Sequence, residues 1–154
     1  MKTLVLGLGN PILTDDGVGI HVVRAAAARC APPKGVMFAE ASMGGLRLLD
    51  LLVDYDRVIL VDAIQTRDGQ PGNIHRLGTA ELQPSLHSGS MHDLSLIGAL
   101  DLGRRLGMRL PAEKDLTILA VEVEDVLTFG ETCTPSVTRA IPRAVKAILA
   151  ELRE

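Results

Sequence analysis

Arg57-Val58-Ile59-Leu60-Val61-Asp62 decides how the rest of the chain is read. Four consecutive branched apolar residues followed by a carboxylate describe a strand buried on both faces, as in the middle of a parallel sheet. Outward from it, short apolar runs alternate with amphipathic stretches. Towards the N-terminus, Thr3–Gly7 and Val36–Glu40 predict strands. Helices are expected from about Asp16 to Cys30 and over Gly45–Val53, the latter carrying Leu46, Leu49 and Val53. Towards the C-terminus, Arg67–Asn73 is polar and contains Gly and Pro, so it predicts a loop. An edge strand over Asn73–Leu77, a helix from about Met91 to Leu106 and a strand over Leu116–Val123 follow. Val137, Ile141, Ala144, Val145, Ile148, Leu149 and Leu152 share one face of a final helix, with Thr134 as N-cap and Pro135 in its first turn. Pro142 inside this pattern predicts a kink or a delayed start. The alternation implies an α/β fold: a three-layer α/β/α sandwich around a twisted, mostly parallel five-stranded sheet, in a single domain over residues 1–154.

Composition excludes several functions. With 47% hydrophobic and 23% charged residues, the chain is neither disordered nor short of core. Two Phe, one Tyr and no Trp leave no aromatic platform for stacking bases, and 16 basic against 19 acidic residues leave no basic surplus for a phosphate backbone. No nucleic-acid partner is therefore expected. Cys30 and Cys133 stand far apart without a CxxC pair, which predicts free thiols in a reducing cytoplasm. The apolar start reaches Asp15 and Asp16 too soon for a signal peptide, and no apolar run approaches the roughly 18–20 residues of a membrane span. A soluble, cytoplasmic protein is expected. No apolar stripe demands a partner, so a monomer is expected too.

In open α/β sheets ligands bind outside the carboxyl ends of the strands. The first strand runs into Gly7-Leu8-Gly9-Asn10-Pro11-Ile12-Leu13-Thr14-Asp15-Asp16-Gly17-Val18-Gly19. Its glycines allow a tight turn and close backbone approach. A dinucleotide fingerprint would need glycine where Ile12 stands, and a pyrophosphate at the helix start would meet Asp15 and Asp16, which argues against a nicotinamide site even though Glu40 closes the second strand. Asp15 reads as an N-cap stabilised by the helix dipole. Asp16 is then the first helical residue, free to point into the crevice. Asp62 ends the third strand on the same rim, although a turn or capping role explains it equally simply. His92, in Ser90-Met91-His92-Asp93, lies in the first turn of a helix, where the dipole keeps imidazole neutral. Ser90 and Asp93 have capping-box spacing, and alone His92 would read as a capping or surface residue. Jointly, Asp16, Asp62 and His92 would suit a divalent transition ion with open positions. His21, five residues past Asp16, points away from it; His75 and His87 have no such context. Glu122, Glu124 and Asp125 follow the last strand on the same rim and read as a solvated strand end, with lending charge to the site as the alternative. Cys133 lacks the setting of a nucleophile, and no GxSxG elbow is present.

These motifs resemble the nickel–iron hydrogenase maturation endopeptidases. GLGNPILTDDGVG at residues 7–19 is similar to that family's N-terminal signature. The strand carrying Asp62, the SMHD segment with His92 and the GETCTPSV stretch at 130–137 follow in the family's order. One departure is Glu40-Ala41-Ser42-Met43 before Gly44-Gly45, where many members have Asp-Gly-Gly-Thr; another is Asp16, where some have Glu. The resemblance implies an aspartic-type endopeptidase of the cytoplasm. It would remove a C-terminal extension from a hydrogenase large-subunit precursor once nickel is installed. Asp16, Asp62 and His92 would bind the precursor's nickel transiently, with cadmium or zinc able to substitute in vitro. For the cleavage itself two roles stay open: the metal would polarise the scissile carbonyl or activate water, or a carboxylate, Asp16 the candidate, would act as general base. Asp62 is the second catalytic carboxylate, and Gly7, Gly9, Asn10 and Asp15 shape the substrate loop. A non-proteolytic nickel-binding chaperone is an alternative use of the same three residues. Gly7-Leu8-Gly9-Asn10-Pro11 also opens peptidyl-tRNA hydrolases, but their Arg-His-Asn stretch is replaced here by Thr14-Asp15-Asp16-Gly17.

Overall fold

The structure, a computed structural model, describes residues 1–42, 46–81 and 91–154, except the side chains of residues 46, 91–95 and 97. β1 (Thr3–Leu8) pairs in parallel with β2 (Val36–Ala41) on one side and with β3 (Arg57–Ile64) on the other. β5 (Leu116–Glu122) continues the parallel sheet next to β3, and β4 (Ile74–Leu77) closes it antiparallel, giving the order β2-β1-β3-β5-β4. The expected five-stranded, mostly parallel sheet is present.

Side-chain alternation sorts the core into two layers. Leu4, Leu6, Leu8, Val58, Leu60, Ile64, Ile118 and Ala120 pack beneath α2 (Leu46–Leu52) and α3 (Met91–Arg105). Val5, Ile59, Val61, Ala63, Leu119 and Val121 pack on the opposite face beneath α1 (Val18–Arg29) and α4 (Pro135–Leu152). Both faces of β1, β3 and β5 are covered, which is why these strands read as unbroken apolar runs. Among the described residues no helix is long and apolar enough to cross a membrane.

Three local expectations need correction. β3 continues to Ile64, because Ala63 and Ile64 pair with Val121 and Glu122, so Asp62 stands inside the strand rather than at its end. α1 begins at Val18, after a 3-10 turn over Thr14–Gly17, so Asp16 precedes the helix. α4 runs through Pro142 without interruption. The proline costs about 3 kcal/mol relative to alanine, whereas burial of Val137, Val145 and Ile148 contributes roughly 1.5–3 kcal/mol for each. Pro142 and Thr138 are exposed, so the carbonyl that the proline cannot bond meets water.

The topology singles out one crevice. From β1 the chain passes through α1 to β2 on one side, then through α2 to β3 on the other. Connections therefore diverge between β1 and β3, the position at which open α/β sheets bind ligands. The β1–β3 ladder ends at Gly7 opposite Val61, so Asp62 is the first residue of β3 beyond it.

Candidate functional site

The loop after β1 is compressed onto its neighbours. Gly9 has φ 139, and a Cβ there would lie 2.0 Å from the Asp16 carbonyl oxygen. At Gly7 a Cβ would lie 2.4 Å from the Gly19 carbonyl oxygen. Gly9 thus lets the loop fold back on itself, and Gly7 lets α1 pack directly against β1. Thr14 adopts φ 50, a strained conformation for a β-branched residue. It is held there by its own amide, which donates to the Gly130 carbonyl at 3.0 Å, and by its hydroxyl, which donates to the Thr128 carbonyl.

The two acids that follow have different surroundings. Asp15 turns inward and is fully buried. Its Oδ1 accepts the Thr134 amide at 2.7 Å. Its Oδ2 accepts the Thr134 hydroxyl at 2.8 Å and the amides of Glu124 and Asp125 at 3.1 and 3.0 Å. Asp15 does not cap the helix that follows it, whose N-cap position is Gly17. Instead it lies at the positive end of α4, where Thr134 is the N-cap residue and a carboxylate is favoured. One side chain thus ties together the loop after β1, the loop after β5 and the start of α4.

Asp16 is half-buried and points the other way. Its Oδ2 accepts the Asn10 amide at 2.9 Å, and the turn that carries it packs against β3. Asp62 is buried at 3% exposure, with Oδ1 accepting the Ala63 amide at 2.8 Å. It shares the parity of Val58, Leu60 and Ile64, the face covered by α2 and α3. His92 is the second residue of α3, so its backbone begins the helix on that same face. The fold brings the Asp16 turn and Asp62 to one crevice. The His92 side chain, the Ser90–Asp93 capping box and His87 lie outside what is described, as do residues 43–45 of the Glu40-Ala41-Ser42-Met43-Gly44-Gly45 departure.

The remaining candidates have other occupations. Glu122 is no solvated strand end: at 1% exposure it accepts the Thr66 amide at 2.8 Å, the Thr66 hydroxyl and an interaction from His75 Nε2 at 3.3 Å. Its backbone bonds Gly72 and Asn73, so Glu122 fastens the 65–73 loop to β5. A lone Glu closing the apolar run Leu116–Val121 was the available signal. Glu124 is exposed as expected. The Asp125 carboxylate caps its own turn, accepting the amides of Thr128 at 2.9 Å and Leu127 at 3.0 Å, and these bonds together with the Thr128 hydroxyl hold it below the usual carboxylate range. Glu40 makes a two-pronged ion pair with Arg24, at 2.8 and 2.6 Å, which lowers its carboxyl pKa. His21 is driven towards neutral imidazole by burial and by Arg24.

Burial, and then the neighbouring Asp15 carboxylate, push the Cys133 thiol up to about 11 from 9.0. At pH 9 an ordinary thiol is half ionised, while Cys133 is thiolate in only about one molecule in a hundred. Alkylation of Cys133 at pH 9 is therefore expected to run roughly 50-fold slower than that of a free thiol. Peptide mass mapping after timed iodoacetamide treatment checks this; reaction at the free-thiol rate contradicts it. Because the folded state holds this proton more tightly, the thiol's contribution to stability falls as pH rises from about 9 towards 11.

Comparison with known proteins gives a consistent pattern. A family model described as hydrogenase maturation protease matches residues 20–151. The Hydrogenase 2 maturation protease of Escherichia coli (strain K12) is 34% identical over 156 residues, covering 100% of this chain and 92% of that relative. The coenzyme F420 hydrogenase subunit delta of Methanothermobacter thermautotrophicus is 30% identical, covering 98% and 94%. Among solved structures, the hydrogenase maturating endopeptidase HybD from E. coli superimposes with a TM-score of 0.84 at 32% identity, covering 99% of this chain and 93% of that one.

Proposed function

The chain belongs to the hydrogenase maturation protease family and is an endopeptidase that processes a hydrogenase precursor; from that premise we propose that it removes the C-terminal extension of a large-subunit precursor after nickel insertion. The observation that carries this reading is the convergence of the Asp16 turn and Asp62 where the connections of the sheet diverge. The nickel is the precursor's cargo. Asp16, Asp62 and His92 hold it during recognition. Three oxygen and nitrogen ligands leave open positions for the precursor's own ligands, so the product can depart with its metal. The donor chemistry of two carboxylates and an imidazole fits such an ion.

Each residue then has a distinct task. The Asn10 amide fixes Oδ2 of Asp16, which orients the carboxylate and leaves Oδ1 for the substrate side. Asp16 takes a proton from the water attacking the scissile carbonyl carbon. As the C–N bond breaks, that proton passes to the departing amine. Asp62, fixed by the Ala63 amide, supplies the second negative charge of the crevice. Gly9 lets the loop close tightly enough to present Asp16, Gly7 seats α1 behind it, and Asp15 anchors the loop from behind. The reaction belongs in the cytoplasm, in keeping with Cys30 and Cys133 as free thiols, and the enzyme acts as a monomer.

Intact-mass measurement of a nickel-loaded precursor before and after incubation tests the proteolysis. Loss of a C-terminal peptide supports it; bound nickel with unchanged mass would make the protein a chaperone. Recognition is tested separately by titrating nickel or cadmium into the wild type and His92→Ala. At least a roughly tenfold loss of affinity is expected, in line with loss of one ligand among three. Equal affinity would remove His92 from the ligand set.

A further inference from the structure

Beside the Asp16 turn, three large apolar side chains stand in solvent: Leu127 at 84%, Phe129 at 79% and Ile12 at 49% exposure. Phe129 is one of only two phenylalanines in the chain, so its exposure is a notable use of a scarce residue. The backbone presenting them is pinned throughout. The Gly130 amide donates to the Ile12 carbonyl at 2.9 Å, and Thr14 bonds Gly130 and Thr128. Asp125 holds the amides of Leu127 and Thr128, and Asp15 in turn holds Glu124 and Asp125. Leu127 and Phe129 are thus the residues that project between pins. Residues 126–130 carry no charge.

Apolar side chains on a backbone already held in place leave less to order when a partner covers them, as in aromatic anchors at binding hot spots. The position of these three fits a polypeptide occupant. Thr14, bonded to this loop, lies two residues before Asp16, so the loop and the Asp16 turn belong to one hydrogen-bonded unit. We propose that Ile12, Leu127 and Phe129 form the shelf on which the precursor lays an apolar segment flanking its scissile bond. This rests on the reading of the crevice as a protease site and extends it from recognition of the metal to recognition of the polypeptide. Affinity for the precursor then has two components, the nickel at the carboxylates and an apolar anchor on the shelf.

The test compares the wild type with Leu127→Ser/Phe129→Ser, following cleavage of the nickel-loaded precursor by intact mass over a range of precursor concentrations. Met37→Ser, an exposed apolar residue on the edge strand β2, serves as control. The double variant should raise KM at least about tenfold with kcat within about twofold of wild type, since the shelf binds ground and transition states alike. Its melting temperature and that of the control should stay at the wild-type value. An unchanged KM in the double variant overturns the shelf while leaving the protease reading intact. A fall in kcat with unchanged KM also overturns it, because the loop would then act on Asp16 rather than on the precursor. Sedimentation of the wild type as a dimer that the double variant abolishes would assign the shelf to a second copy of the chain, against the proposal. Failure of the wild type to cleave at all defeats the protease reading itself, and the shelf with it.

Discussion

Asp16→Asn should reduce processing of the nickel-loaded precursor by at least about a thousandfold while the protein stays folded. The amide oxygen of Asn can still accept the Asn10 amide, so the loop keeps the bond that now fixes Oδ2. What disappears is the negative charge and the capacity to accept a proton. General-base contributions alone amount to roughly 10²–10⁴-fold, and a weaker hold on nickel adds to that loss. Because the residue is half-buried and its one described hydrogen bond survives, the melting temperature should remain within about 2 °C of wild type. Single-turnover cleavage followed by mass, with thermal unfolding in parallel, checks both halves. Retention of more than about a tenth of the wild-type rate would show that Asp16 is not the base.

Asp15→Ala should give the opposite signature: a large loss of stability. The substitution strips partners from the Thr134 amide and hydroxyl and from the amides of Glu124 and Asp125. Each donor left unsatisfied in a buried place costs about 1–3 kcal/mol. Glu124 is exposed, so water recovers part of this, and the sum should be about 3–5 kcal/mol. For a chain of this size that lowers the melting temperature by roughly 6–20 °C. Asp15→Asn should cost less, because its single oxygen can replace Oδ2 and leave only the Thr134 amide facing an NH2 group. Urea unfolding of the two variants measures the difference. Equal stability of Asp15→Ala and wild type would contradict the anchoring role.

The contrast between these neighbours explains how far the sequence could be read. The doubly covered strands announce themselves, since Val58–Val61 and Leu116–Val121 must be apolar on both faces; the sheet and its helices follow from that and from the period of α4. The crevice is legible at the level of topology, because an acid in or after a central strand has few other places to be. The split between a structural Asp15 and a crevice-facing Asp16 is legible too; what is not is that Asp15 serves the start of α4 rather than the helix that follows it. The loop that seats Asp15 there carries a left-handed conformation at Thr14, which local sequence gives no reason to expect in a β-branched residue. That conformation depends on bonds to Gly130 and Thr128, more than a hundred residues away. Glu122 departs from its expected solvated place for a similar reason: its partners Thr66 and His75 come from a loop and an antiparallel edge strand that short-range patterns do not connect to it. α4 starts at Pro135 and continues through Pro142 because its stability comes from the buried face rather than from local propensity.

The central claim is that the crevice cleaves a precursor because it recognises the precursor's nickel. The direct measurement is the intact mass of two samples of one large-subunit precursor, loaded with nickel and free of it, each incubated with the wild-type enzyme. The account predicts that only the loaded precursor loses a single C-terminal peptide, with the nickel-free one unchanged over the same time. Equal cleavage of both, or cleavage of neither, would contradict it.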